Sequence, residues 1–187
     1  PDLSFIARFP RAIFVSITQP LTFMEIYNHF EYGKTLAIRL KPIAHTPEKP
    51  RFFTAFGLED LYNFNDKLSS VSSMILIAVD SCESESKRNE SDALNNNDMF
   101  SFIVAQNTVS DRPETVNQAA KECKAVAKQI RNYILQDPDI SEFIDDTIQF
   151  NGIGPIGDNF YGVVLTFSLV QPETYFIDQI GRASCRE

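Results

Sequence analysis

No apolar run in this sequence is long enough to cross a membrane. The longest, Met74-Ile75-Leu76-Ile77-Ala78-Val79, is about a third of the length a spanning helix needs. Cysteine is scarce: there are 3 in 187 residues. None is paired at metal-ligand or redox spacing, which fits a reducing compartment and provides no disulfide framework. Histidine is scarcer still, with 2 residues, so a histidine-rich metal centre has little to draw on. Positive charge is also short. Against 25 Asp and Glu stand 17 Lys and Arg, for a net charge of -8. Such a chain is repelled by phosphate backbones unless its cations are strongly segregated, which argues against nucleic acid as a partner. The stretch Phe5–Ile17 is broken by Arg8, Pro10 and Arg11, a poor pattern for a secretory leader.

What is present suits one domain. Hydrophobic residues make up 43% of the chain and include 16 Phe, enough for a real core. The ends read differently. Ile180-Gly181-Arg182-Ala183-Ser184-Cys185-Arg186-Glu187 looks like a sequencing adapter read in frame, and Pro1–Phe23 is expected to be upstream sequence, with an edge strand at Ile13–Ile17 as the alternative. Pro1–Phe23 holds two Arg and one Asp, and Ile180–Glu187 two Arg and one Glu, so Met24–Gln179 alone carries -10. The expected domain is residues 24–179.

Hydrophobic periodicity then places the elements. Thr22-Phe23-Met24-Glu25 has capping-box spacing. Phe23, Ile26, Tyr27, Phe30, Ala37 and Leu40 form one apolar stripe that predicts a helix from about Phe23 to Lys41. Gly33 interrupts it at a cost of roughly 1 kcal/mol. Arg51–Phe56 reads as a strand, Leu58–Phe64 as a short amphipathic helix and Met74–Val79 as a central strand. Asp80–Asp98 holds six acidic and two basic residues and almost no apolar content, so it is expected to be a mobile acidic loop. Strand character resumes over Met99–Ala105. Asp111-Arg112-Pro113-Glu114 opens a second long helix. Its buried face is expected at Val116, Ala119, Ala120, Cys123, Ala127, Ile130 and Ile134, and Asp137-Pro138 stops it. Strands over Thr147–Phe150 and Tyr161–Val170 complete an α+β fold: a mostly antiparallel sheet with two long amphipathic helices packed on one face.

Chemistry-bearing patterns are few. Gly152-Ile153-Gly154-Pro155-Ile156-Gly157 has G-x-G-x-x-G spacing, but it sits between two strands and contains Pro155, so it reads as a turn and not as a dinucleotide site. His29 and His45 read as solvated. Neither has a metal-spaced partner, and a Ser-His-Asp arrangement, which needs no adjacency, is supported by no nucleophile-elbow pattern. Asp137, Asp139, Asp145 and Asp146 lack the spacing of a recognised Ca²⁺ loop. No catalytic, cofactor-binding or metal residue is therefore assigned. Lys121, Lys124, Lys128 and Arg131 recur at i, i+3, i+7 and i+10, one face of the second long helix. A solvated face is the plain reading. The functional one is an interface that meets the acidic 80–98 segment of a neighbouring copy.

Several stretches carry a resemblance: Leu36-Ala37-Ile38-Arg39-Leu40-Lys41, Glu48-Lys49-Pro50-Arg51-Phe52-Phe53, Ser72–Asp80, Glu122-Cys123-Lys124-Ala125-Val126-Ala127 and Gly152–Gly162. Together they resemble uncharacterised proteins of prophages and mobile elements in gut Bacteroidales, over about Met24 to Asp178. The layout is similar to phage tail-terminator and tail-completion proteins, most of all in Asp158-Asn159-Phe160-Tyr161-Gly162 and the alternating strand after it. The resemblance implies a ring-forming structural subunit without enzymatic activity or cofactor. Its partners would be itself and other phage tail and neck proteins, with no nucleic acid, membrane or small-molecule substrate. It would be made in the bacterial host cytoplasm and incorporated into the virion. Two other classes stay open: a small intracellular enzyme or nucleotide-binding protein using the Gly152–Gly157 turn, and a mobile-element adaptor.

Overall fold

The computed structural model describes residues 27–88, 93–109 and 112–173. The capping box at Thr22–Glu25, the first 23 residues, Asp111 and the tail from Ile180 lie outside the described residues. Ten elements follow in chain order: α1 His29–Arg39, β1 Phe52–Phe56, a 3-10 turn Glu59–Asn63, α2 Asn65–Leu68, β2 Ile75–Arg88, β3 Leu94–Asn107, α3 Pro113–Gln136, a 3-10 turn Ser141–Phe143, β4 Gln149–Ile156 and β5 Phe160–Glu173. The class is α+β. The five strands form one sheet in the order β1-β2-β3-β5-β4. It is mixed: β1 runs parallel to β2, and the other three pairings are antiparallel.

Alternation along the strands sends side chains to two faces, and each face has its own core. On one, Leu76 and Ala78 of β2, Phe102 and Val104 of β3, and Val163, Leu165 and Phe167 of β5 pack with Leu36 and Ala37 of α1 and with Leu40 just after it. Cys123, Val126, Ala127, Ile130 and Ile134 of α3 join the same cluster. On the other, Ile75, Ile77, Ile103, Ala105 and Val164 pack under Leu61, Phe64 and Leu68 from the 3-10 turn and α2. These two short elements, with Val71 just after them, cover one end of the second face.

The helices differ from expectation in length and in detail. α1 has 11 residues, not the nineteen or so expected, and is capped by Asn28, whose Oδ1 accepts from the Glu31 amide at 3.1 Å. That N-x-x-E spacing is the start signal in use. α3 has 24 residues with Pro113 in its first turn and Arg112 as an N-cap that makes no side-chain bond. Its buried face includes Val126, while Ala120, expected inside, is exposed and Val116 is half-buried. Gly33 does more than interrupt a helix. A Cβ there would sit 2.9 Å from the Phe102 ring, 3.0 Å from the Phe52 ring and 3.1 Å from Ala78 Cβ. The missing side chain lets α1 lie close on the sheet.

Two further expectations are corrected. The described part of Asp80–Asp98 is strand and not loop: β2 runs on to Arg88 and β3 starts at Leu94, paired in register from Glu83↔Met99 to Arg88↔Leu94, while residues 89–92 lie outside the described residues. The physical reason is cross-strand pairing. Backbone ladders form on both sides of β3, because β5 continues beside it from Ser168 to Glu173. Polar side chains stitch the surface: Ser84 and Ser86 Oγ both donate to Asn96 Oδ1 at 2.8 Å, and Asn96 Nδ2 donates to Asp98 Oδ1 at 2.7 Å. The result is a three-stranded polar arm. A register shift between Asp80 and Glu83, with Cys82 at φ 52°, marks its root. The glycine segment is likewise strand for most of its length. β4 continues through Gly152, Gly154 and Pro155 to Ile156, and the chain reverses at Gly157-Asp158-Asn159. Gly154 (φ 147°) and Gly157 (φ 57°) take the positive-φ positions.

Candidate functional site

The basic face is built by α3. Burial of Cys123, Ala127, Ile130 and Ile134 fixes the rotation of that helix and turns Lys121, Lys124 and Lys128 outward, where all three are exposed. They form no ion pair with a described residue; the pair found is Lys87 Nζ to Glu85 Oε2 at 2.8 Å. Arg131 departs from the stripe in its bonding. Its guanidinium donates to Asn132 Oδ1 at 3.2 and 2.9 Å and lies 5.9 Å from the centre of the Phe150 ring, which leaves it half-buried.

The opposite side of the sheet carries a groove that the sequence reading missed. Beyond the part covered by Leu61, Phe64 and Leu68, a depression of about 660 Å³ is lined by Leu58, Val79, Met99, Ile153 and Val164, with Ser101 and Thr166 on its floor. The two hydroxyls bond each other at 2.9 Å. Glu59 and Glu83 stand in its wall. An adjoining hollow of about 360 Å³ shares Leu58 and Ile153 and extends to Tyr62. Leu58 is 53% exposed, Tyr62 85% and Met99 40%. The sequence held little signal for it: in a 3-10 turn residues i and i+3 share a side, so Leu58 aligns with the buried Leu61 while Tyr62 falls on another side.

The histidines are not solvated as expected. His29 is 4% exposed. Its Nε2 lies 3.0 Å from the Ser101 carbonyl and its Nδ1 2.9 Å from the Tyr27 hydroxyl. A carbonyl only accepts, so Nε2 carries the proton and Nδ1 accepts from Tyr27. The ring lies 5.0 Å from the Phe100 ring and 4.4 Å from that of Phe102. Burial lowers its pKa from 6.5 to about 4, against a smaller opposing effect of the Ser101 bond. Burial also pushes the Tyr27 phenol well above its usual value. Tyr27, His29, Asp80, Asp98 and Gln171 line a small pocket of about 250 Å³ at the root of the arm. His45 is half-buried, and its Nδ1 accepts from the Arg51 amide at 3.0 Å, a structural bond that ties the loop after α1 to the start of β1.

The remaining candidates settle into local roles. Cys123 is buried, and burial raises its thiol to about 12; exposed Cys82 is raised by the nearby Asp80 carboxylate. Neither environment favours a thiolate. Asp137 Oδ1 accepts from the Asp139 amide at 3.1 Å and Asp145 Oδ1 from the Asp146 amide at 2.9 Å, both turn bonds. Among the described residues no group of three or more His, Cys, Asp or Glu is placed to hold a metal ion. At Gly152–Gly157 a strand and a turn lead into β5, so this segment supplies no helix N-terminus for a pyrophosphate. No helix among the described residues is long and apolar enough to cross a membrane. Set against known protein families and curated proteins, the chain matches none of them.

Proposed function

We propose that this protein is a structural subunit that works by assembling with copies of itself and with other proteins. In the terms of its resemblance it is a tail-terminator-like or head–tail-completion-like component of a phage, made in the host cytoplasm and built into the particle. The observation that carries this reading is the groove that the described residues leave open on the second sheet face, where Leu58, Tyr62 and Met99 are exposed around a lining of Val79, Ile153, Val164, Ser101 and Thr166. Contiguous apolar surface of this kind marks contact sites. In this reading α1 and α3 close one face of the sheet, and the other face is kept for a partner. The polar arm and the lysine face of α3 offer further contact surface. Light scattering on the full chain after size-exclusion chromatography tests the proposal. A mass of several subunits, or stable capture of purified tail or neck proteins, is expected. A strict monomer that joins no tail protein at any concentration would overturn it.

A further inference from the structure

We propose that the groove is occupied by the outer face of α3 from a second copy of this chain, so that successive subunits stack face to back. This inference rests on the assembly reading above and adds the partner and the contact to it. The groove is lined by Leu58, Val79, Met99 and Ile153 beside the bonded hydroxyls of Ser101 and Thr166, and it carries two exposed carboxylates, Glu59 and Glu83. Glu85, two residues further along β2, points to the same face as Glu83 and is exposed too; it already meets Lys87 Nζ at 2.8 Å in a water-exposed pair, so Glu59 and Glu83 are the unshared carboxylates of the set. The outer face of α3 has the complementary chemistry. Lys121, Lys124 and Lys128 are exposed and unpaired with described carboxylates, and the exposed Ala120 and Ala125 lie among them. Alanines let a helix approach a surface closely, while lysine stems lie along the apolar lining and carry their charges to the rim.

Charge makes the match selective. Two subunits of net charge -8 repel each other at long range. A contact between them has to set segregated cations against segregated carboxylates, and this molecule has one such set on each side. Placement supplies the geometry. α3 packs against the face that bears Val163, Leu165 and Phe167, and the groove opens on the face that bears Val79 and Val164. The two surfaces lie on opposite sides of the sheet, so no subunit can satisfy its own. A contact between unlike surfaces is heterologous and generates a ring if the rotation closes, or a filament if it does not.

Two charge-reversed full-length chains test this. One carries Lys121→Glu, Lys124→Glu and Lys128→Glu; the other carries Glu59→Lys, Glu83→Lys and Glu85→Lys. All six positions are exposed, and circular dichroism checks that each chain folds. Each variant alone is expected to run at monomer mass, while a one-to-one mixture regains the mass of the wild type, because each reversed surface then meets its opposite. Wild-type assembly is expected to weaken at about 1 M salt, where the screening length is about 3 Å. If either variant alone keeps the wild-type mass, the contact lies elsewhere and the inference fails while the assembly reading stands. If the wild type is itself monomeric, the assembly reading fails and takes the inference with it. Should a reversed chain not fold, the neutral Lys→Gln and Glu→Gln sets replace it, with association at least tenfold weaker expected and unchanged association overturning the contact.

Discussion

His29 is a neutral imidazole held between two phenylalanine rings, and that places a pH dependence on folding. Its folded pKa of about 4 lies below the ordinary 6.5, so between those values the unfolded chain binds a proton that the folded one refuses. Stability is therefore full above about pH 6.5 and declines as the pH falls towards 4, by roughly 3 kcal/mol across the window. Urea titrations at pH 7.5 and 5 check this: His29→Phe is expected to flatten the difference while losing the bonds to Ser101 and Tyr27. An unchanged slope in the variant would assign it to other groups. Gly33 gives a second prediction at the same scale. Alanine favours a helix over glycine by about 1 kcal/mol, yet a Cβ here meets Phe102, Phe52 and Ala78 at 2.9 to 3.1 Å. Overpacking outweighs propensity, so Gly33→Ala is expected to lower stability by about 1–3 kcal/mol in denaturant unfolding. Neither residue announced its role in the sequence. Tyr27 apart, the partners of both lie on strands about twenty to seventy residues away, and local periodicity says nothing about them.

The secondary-structure elements divide by the kind of signal they carry. Met74–Val79 was legible as an apolar run too short for a helix, and Tyr161–Val170 by apolar alternation, both local properties that burial enforces. α3 was legible for the same reason, through Cys123, Ala127, Ile130 and Ile134. The arm was not, because Glu83–Arg88 and Leu94–Asp98 have no apolar side to betray them, and strand preference of polar residues depends on neighbouring strands. Its pairing is visible only once Asn96 is seen between Ser84, Ser86 and Asp98. Asn96→Ala is expected to speed amide exchange over residues 83–88 several-fold while global stability falls by no more than about 1 kcal/mol. Random-coil exchange of that segment in the wild type would count against the strand. The α1 start was missed for another reason: the Asn28–Glu31 cap lies inside a stretch whose apolar periodicity already looked helical from Phe23.

At the scale of the molecule, the lysine face could be read from spacing, but the groove could not, since it is defined by where the short elements stop. Leu61, Phe64 and Leu68 cover one end of the second face and leave Met99 exposed and Ile153 half-buried. Exposure makes a clean test. Leu58→Glu with Tyr62→Ser is expected to cost no more than about 1 kcal/mol in unfolding, because Tyr62 is 85% exposed and Leu58 about half exposed. The same pair is expected to abolish higher-mass species in light scattering. Loss of folding together with assembly would mean that these residues serve the fold instead.

The arm also has a mechanical meaning. β3 has 14 residues, roughly 45 Å of extended chain, and the same strand that lies between Arg88 and Glu173 at its Leu94 end lies between Leu76 and Val163 in the core. No hinge sequence separates grip from body along it. A protein that seizes the tip therefore holds a lever and not a tether, and turning that lever would reorient the whole subunit.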